Sequence, residues 1–118
     1  MSGLLYPKQK GKKRRRKHPP SIIHQEPGTC WLCMELGTYT GKHRYLEEHH
    51  IFPGTWGRKI SEENGFKVML CPAHHREEPE AVHNNADNMQ MLQKAAQAEY
   101  EKTHTREQWM DLMGRNYL

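Results

Sequence analysis

Apolar and polar positions change period several times along the chain, and each change predicts an element. Phe66-Lys67-Val68-Met69-Leu70 alternates large apolar and longer side chains, the pattern of a short strand. Residues 45–50 predict a second short strand, ended by Pro53-Gly54. Between the two, residues 54–65 read as an irregular excursion, with Ser61 capping a single helical turn that Gly65 stops. Pro72 suits the first turn of a helix carrying His74 and His75, which Pro79 breaks early. Over residues 86–102, Met89, Leu92 and Ala96 form an apolar stripe that Ala95 widens, and Asn84, Asn85 or Asp87 is the candidate cap. Thr105-x-x-Gln108 reads as a capping box for a last helix through Met113, closed by Gly114, with Trp109, Leu112 and Met113 facing inward.

The rest of the chain reads as non-periodic. Residues 34–44 are expected to be loop, and residues 21–29 a connector with a turn at Pro27-Gly28. Residues 1–20 carry no apolar period and read as a disordered basic tail, which leaves residues 21–118 as the one domain expected of a 118-residue chain. No run of about 18 apolar residues predicts a membrane span. The absence of an apolar N-terminal stretch argues against secretion, so a cytoplasmic location is expected.

Charge sharpens this division. Eight of the 18 basic residues lie in the tail: Lys8, Lys10, Lys12, Lys13, Arg14, Arg15, Arg16 and Lys17. The remainder of the chain has ten basic residues against 14 acidic ones. A dense cationic block attached to a mildly acidic domain points to a phosphate-bearing partner, and nucleic acid is favoured over a solubilising tail or a targeting signal.

Hydrophobic residues make up only 35% of the chain, so a metal is a plausible staple for so small a core. All three cysteines fall into paired positions. Cys30-x-x-Cys33 is one pair and Cys71-x-x-His74 is another with the same gap. Zinc takes four sulfur and nitrogen ligands in a tetrahedron, and residues three apart can both point into one tight turn. The four predict a closed, structural zinc site.

His49, His50, His75 and His83 remain outside that tetrahedron. Hydrolysis of a phosphodiester needs an activated water, charge neutralisation on the phosphate and stabilisation of the leaving oxygen. A histidine with a pKa near ~6.5 can take the proton from water. Adjacent His49 and His50 on a strand point to opposite faces, so one can hold a metal while the other meets a water.

These residues carry a resemblance. His49-His50-Ile51-Phe52-Pro53 followed by Cys71-x-x-His74-His75 resembles the HNH endonucleases, over residues 30–83. The resemblance implies an α+β fold: a small, zinc-stapled ββα-metal core, here with C-terminal helices after it. It implies His50 as general base, and His49, His75 and His83 as ligands of a catalytic divalent ion, with Mg²⁺, Mn²⁺, Ni²⁺, Co²⁺ or Zn²⁺ as candidates. Cleavage in that family leaves a 5′-phosphate and a 3′-hydroxyl. The family's middle asparagine usually sits five residues before the second knuckle's cysteine, and that position is Phe66. Asn64 is out of register, Asn84 and Asn85 lie past the helix, and the residue that orients the base is unassigned.

Lys12, Lys13, Arg14, Arg15, Arg16 and Lys17, with Arg58, Lys59 and Arg76, are the candidates for DNA contact. Trp56 is expected to pack in its loop. A narrower resemblance to phage HNH proteins, including RecA-dependent nucleases that enhance recombination, implies single-stranded DNA or a recombinase filament as partner. The competing expectation is a non-catalytic zinc module that binds nucleic acid, or a phage structural protein that keeps the core for folding.

Overall fold

The computed structural model describes residues 18–118. The basic block Lys12–Lys17, and most of the tail expected over 1–20, lie outside the described residues. The described elements run α1 (Trp31–Leu36), β1 (Glu47–His50), α2 (Gly54–Asn64), β2 (Lys67–Leu70), a π-helical turn (Ala73–Glu77), α3 (Ala86–Tyr100) and α4 (Arg106–Met113). The class is α+β. β1 and β2 pair antiparallel, with His49 opposite Val68 and His50 opposite Lys67.

Two stretches differ from the expectation. Residues 31–36 are helical where the loop was expected to begin. Cys30 caps this helix by accepting the N–H of Cys33, and Gly37 ends it in the left-handed region at φ 70°. The larger difference is α2, a helix of 11 residues where an irregular excursion was expected. Its buried residues are Gly57 and Ser61, one turn apart. A side chain at Gly57 would run into the Phe52 carbonyl, and the Ser61 hydroxyl accepts the Phe52 N–H at 3.1 Å. The face that docks is small and polar, so no apolar period announces it. Trp56, expected to pack, is instead 54% exposed, because Gly57 and Ser61 take the inward face.

The connector over 21–29 is also more than a spacer. Ile22 donates to the Gly65 carbonyl at 2.9 Å. The Gln25 amide takes both backbone groups of Met69, accepting its N–H at 2.8 Å and donating to its carbonyl at 3.2 Å. The edge of β2 away from β1 is thereby covered, which satisfies groups that an open edge would leave for another strand. Gly65, at φ 74°, ends α2 where a side chain would collide with the Pro20 carbonyl.

The helix over 86–102 ends at Tyr100, and Asn85 caps it by accepting the Asn88 N–H. Leu92 and Ala96 are buried, with Met89 and Ala95 packed partly against the core. The capping box of Thr105 and Gln108 forms, and Gly114 closes α4. Trp109 is fully buried; its ring meets Phe66 at 5.5 Å and Phe52 at 5.9 Å, and its Nε1–H donates to the Arg115 carbonyl at 2.7 Å. This aromatic cluster ties α4 to the start of β2 and to the segment after β1. No helix among the described residues is long and apolar enough to cross a membrane.

Trp109→Ala should therefore destabilise the fold by about 3–5 kcal/mol, the range for removing a buried aromatic. Met110→Ala, beside it on the exposed side of α4, should stay within about 0.5 kcal/mol. Denaturant unfolding of the two variants checks the contrast.

Candidate metal centres and the histidine cleft

Cys30 at the start of α1, Cys33 within it, Cys71 after β2 and His74 in the π-helical turn converge on one point, with their ligand atoms within 4.8 Å of one another. All four are buried. Cys33 Sγ stands 3.8 Å from Cys71 Sγ and 3.3 Å from His74 Nδ1, and Cys30 Sγ stands 3.8 Å from His74 Nδ1. Four ligands at zinc–sulfur and zinc–nitrogen distances of ~2.3 and ~2.0 Å imply separations of about 3.5–3.8 Å between ligand atoms, so the donor set fits a tetrahedral ion. Burial, and the neighbouring Cys30 sulfur, push the Cys33 thiol up to about 12. Burial also raises Cys71. Cys33 and Cys71 thus resist ionisation by themselves, and a divalent cation beside them reverses that preference. This Cys3His cluster can hold a structural metal such as zinc.

The chain then places His75 on the other side of the same turn. Consecutive residues of a helix diverge by about 100°, so His74 and His75 face different clusters. In this turn Glu78 donates to the Ala73 carbonyl, five residues back, at 2.9 Å. After Pro79 the chain doubles back, with Val82 donating to the His74 carbonyl at 2.8 Å and His83 to the His75 carbonyl at 3.3 Å. Asn84 secures this return by donating to the carbonyls of Arg76 and Glu78 at 2.9 and 3.0 Å. His83 thus reaches His75 and His49 despite the long gap in sequence.

His49, His75 and His83 form the second cluster, with ring centroids 4.7 to 5.1 Å apart. Strand periodicity puts Glu47 and His49 on one face of β1, and both meet His75 there. Glu47 Oε1 accepts from His75 Nδ1 at 2.6 Å, and that bond is the main reason the Glu47 carboxyl lies below its ordinary range. With Nδ1–H turned to a carboxylate, Nε2 is the ring nitrogen of His75 left to face the cluster. It lies 3.1 Å from His83 Nε2. Two nitrogens ~2.1 Å from one ion stand about 3.0–3.4 Å apart between octahedral and tetrahedral angles. His49 Nε2 is buried without a hydrogen-bond partner, a state that disfavours the fold by about 1–3 kcal/mol if nothing meets the atom. Burial, then the facing His75 and His83, push His49 down to about 3, so its ring is a neutral donor. Burial lowers His83 as well. The donor set suits a metal, and the Glu47–His75 bond is the carboxylate–histidine pairing that fixes the orientation of metal-binding imidazoles.

Glu48 and His50 lie on the opposite face of β1, and their surroundings differ. His50 Nε2 bonds Glu62 Oε1 on α2 at 2.6 Å. Glu62 Oε2 receives the Lys67 ammonium at 3.3 Å, and Glu48 Oε2 stands 3.9 Å from the same Nζ. The bond from His50, with the Lys67 charge behind it, keeps the Glu62 carboxyl below its usual range. Glu48, His50 and Glu62 also have atoms close enough to surround an ion, but the Lys67 ammonium already supplies the cation between the two carboxylates.

The two faces of β1 meet at its end. His49, His50, His75 and His83 line one cleft with Arg58 and Arg76, and an adjoining hollow continues from His50 past Thr55, Arg58 and Lys59. Arg58, Lys59 and Arg76, the described members of the basic set, therefore border the histidines. Glu47 and Glu62 were not singled out in the sequence. The alternation along Glu47-Glu48-His49-His50 is the signal that exposes Glu47, whereas Glu62 is visible only once α2 is known to be a helix. No family model, curated protein or solved structure matches the chain.

The geometry predicts one tightly held zinc per chain. Cys33→Ser and Cys71→Ser should lose it and with it cooperative unfolding, whereas His83→Ala should keep it. Elemental analysis after gel filtration, alongside thermal melts, separates these outcomes.

Proposed function

We propose that the protein is a metal-dependent endonuclease of the HNH type that hydrolyses phosphodiester bonds of DNA. The observation that carries this reading is the convergence on one cleft of three imidazoles whose nitrogens face one another and a fourth, His50, that stands outside their cluster and bonds Glu62 on α2. The division of labour expected of such chemistry matches two different hydrogen-bonding environments one residue apart.

In this reading His49, His75 and His83 would hold a divalent ion, which would supply charge neutralisation for the phosphate and its leaving group. The residues of the chain do the rest. His50, donating Nε2–H to Glu62, keeps Nδ1 as a proton acceptor, and that atom removes a proton from the attacking water. Arg58 and Arg76 bind non-bridging phosphate oxygens. Glu47 keeps the His75 ring turned so that Nε2 faces the cluster. Lys59 contacts the backbone beside the scissile bond, and the basic residues 8–17 add non-specific, salt-dependent affinity. Histidine ligation admits Mn²⁺, Ni²⁺, Co²⁺ or Zn²⁺ as well as Mg²⁺. Single-stranded DNA, free or on a recombinase filament, and duplex DNA are the substrates to compare.

Supercoiled plasmid and single-stranded circles should be cut by the wild type in the presence of one of these ions and not in chelator. His50→Ala, still zinc-loaded, should lower the rate by about 10²–10⁴-fold, the usual contribution of a general base. Binding of DNA without cutting, equal in wild type and His50→Ala under every ion, would instead establish the non-catalytic nucleic-acid module.

A further inference from the structure

We propose that Glu62 is the positioning residue for His50: its carboxylate fixes the tautomer and the orientation of the ring, and Lys67 holds that carboxylate in place. The inference rests on the reading of His50 as the base, and it fills the role that no asparagine fills in this chain.

Four observations carry it. The His50–Glu62 contact, at 2.6 Å, joins the end of β1 to α2 across 12 residues. An ionised carboxylate only accepts, so Nε2 must carry a proton, and of the two neutral tautomers only the one with a bare Nδ1 makes this bond. Second, Glu62 is itself held. Its other oxygen meets Lys67 Nζ at 3.3 Å, and Lys67 is the cross-strand partner of His50. Base and clamp therefore sit side by side on paired strands, and the carboxylate spans both. Third, the helix under Glu62 is fixed by its neighbour, since the Ser61 hydroxyl accepts the Phe52 N–H at 3.1 Å, two residues beyond His50. A shift of α2 relative to the end of β1 would break that bond.

Fourth, the asparagines have other work. Asn64 donates to the Ile60 carbonyl one turn back at 2.9 Å. Asn84 donates to the carbonyls of Arg76 and Glu78. Asn85 caps α3. A carboxylate differs from an asparagine amide in a way that matters here. An amide offers a donor as well as an acceptor and can pair with either ring tautomer, whereas an ionised carboxylate selects one. Lys67, buried between Glu62 and Glu48, supports the ionised form.

The test combines a direct view of the ring with kinetics, on the zinc-loaded full chain and with DNA as substrate. Histidine-selective ¹⁵N spectra should show His50 as the Nε2–H tautomer in the wild type, and a share of the Nδ1–H tautomer in Glu62→Gln, whose amide can pair with either. In Glu62→Ala the two tautomers should mix. Glu62→Ala should lower kcat by roughly 10–100-fold, the range for losing the partner that orients a functional imidazole, with KM changed less than about twofold. Glu62→Gln, which still holds the ring but does not select the tautomer, should recover only part of that loss. In a His50→Ala background, Glu62→Ala should lower the rate no further, since the two act as one unit.

An unlocked His50 tautomer in the wild type overturns the proposal whatever the cleavage result. So does a Glu62→Ala rate equal to wild type, or a loss that adds in full to that of His50→Ala. A locked tautomer in a wild type that cuts no DNA with any ion upholds the positioning and overturns the nuclease reading, so the two failures are distinguishable.

Discussion

Two imidazoles one peptide bond apart must serve two different clusters, and the rest of the structure follows from that constraint. His74 completes a set with three cysteines, and His75 a set with two histidines. The turn that carries them begins at Pro72 directly after β2, so the strand's end, α1 and both clusters are tied at a single place. A metal in the Cys3His cluster would contribute folding free energy where apolar burial is limited. It would also fix the direction in which His75 points. The two clusters are therefore mechanically linked, and loosening the first would displace the imidazole beside it.

β1 repeats the arrangement in the geometry of a strand. Its four residues alternate between a face that meets His75 and a face that meets Lys67. On the first, Glu47 orients an imidazole of the histidine cluster and His49 belongs to that cluster. On the second, His50 leans on a carboxylate from α2, backed by an ammonium from β2. The contrast in partners, with a neutral buried ring on one side and a carboxylate-bound ring on the other, is how neighbouring histidines acquire different chemistry. The aromatic cluster of Phe52, Phe66 and Trp109 packs behind this pair of strands and gives them a rigid floor.

Much of this was legible in the sequence where the signal was periodic or chemical. The alternation from Phe66 to Leu70, the capping box at Thr105 and the apolar stripe on α3 each specify an element locally. The pairing of Cys30 and Cys33 with Cys71 and His74 is legible because ligand spacing is a chemical requirement. The convergence of His49, His75 and His83 was suggested by the likeness to a family pattern, and the return of the chain after Pro79 explains how His83 bridges its gap. α2 stayed hidden because Gly57 and Ser61 dock it by close approach and a hydroxyl contact, and neither leaves a hydrophobic period. The partner of His50 stayed hidden with it, since Glu62 faces that ring only once α2 forms. Trp56 misled for the same reason: in a loop it would seek cover, but on this helix it falls on the solvent side.

Stepwise titration of the metal-free protein with Co²⁺, followed by absorption spectroscopy, tests the central claim that one turn couples two sites of different chemistry. The account predicts a first equivalent with thiolate-to-cobalt charge-transfer bands and tetrahedral ligand-field intensity. A weaker second equivalent should follow without charge-transfer bands, abolished by His49→Ala and also by Cys71→Ser. A single class of sites, or a second equivalent that survives Cys71→Ser unchanged, would contradict it.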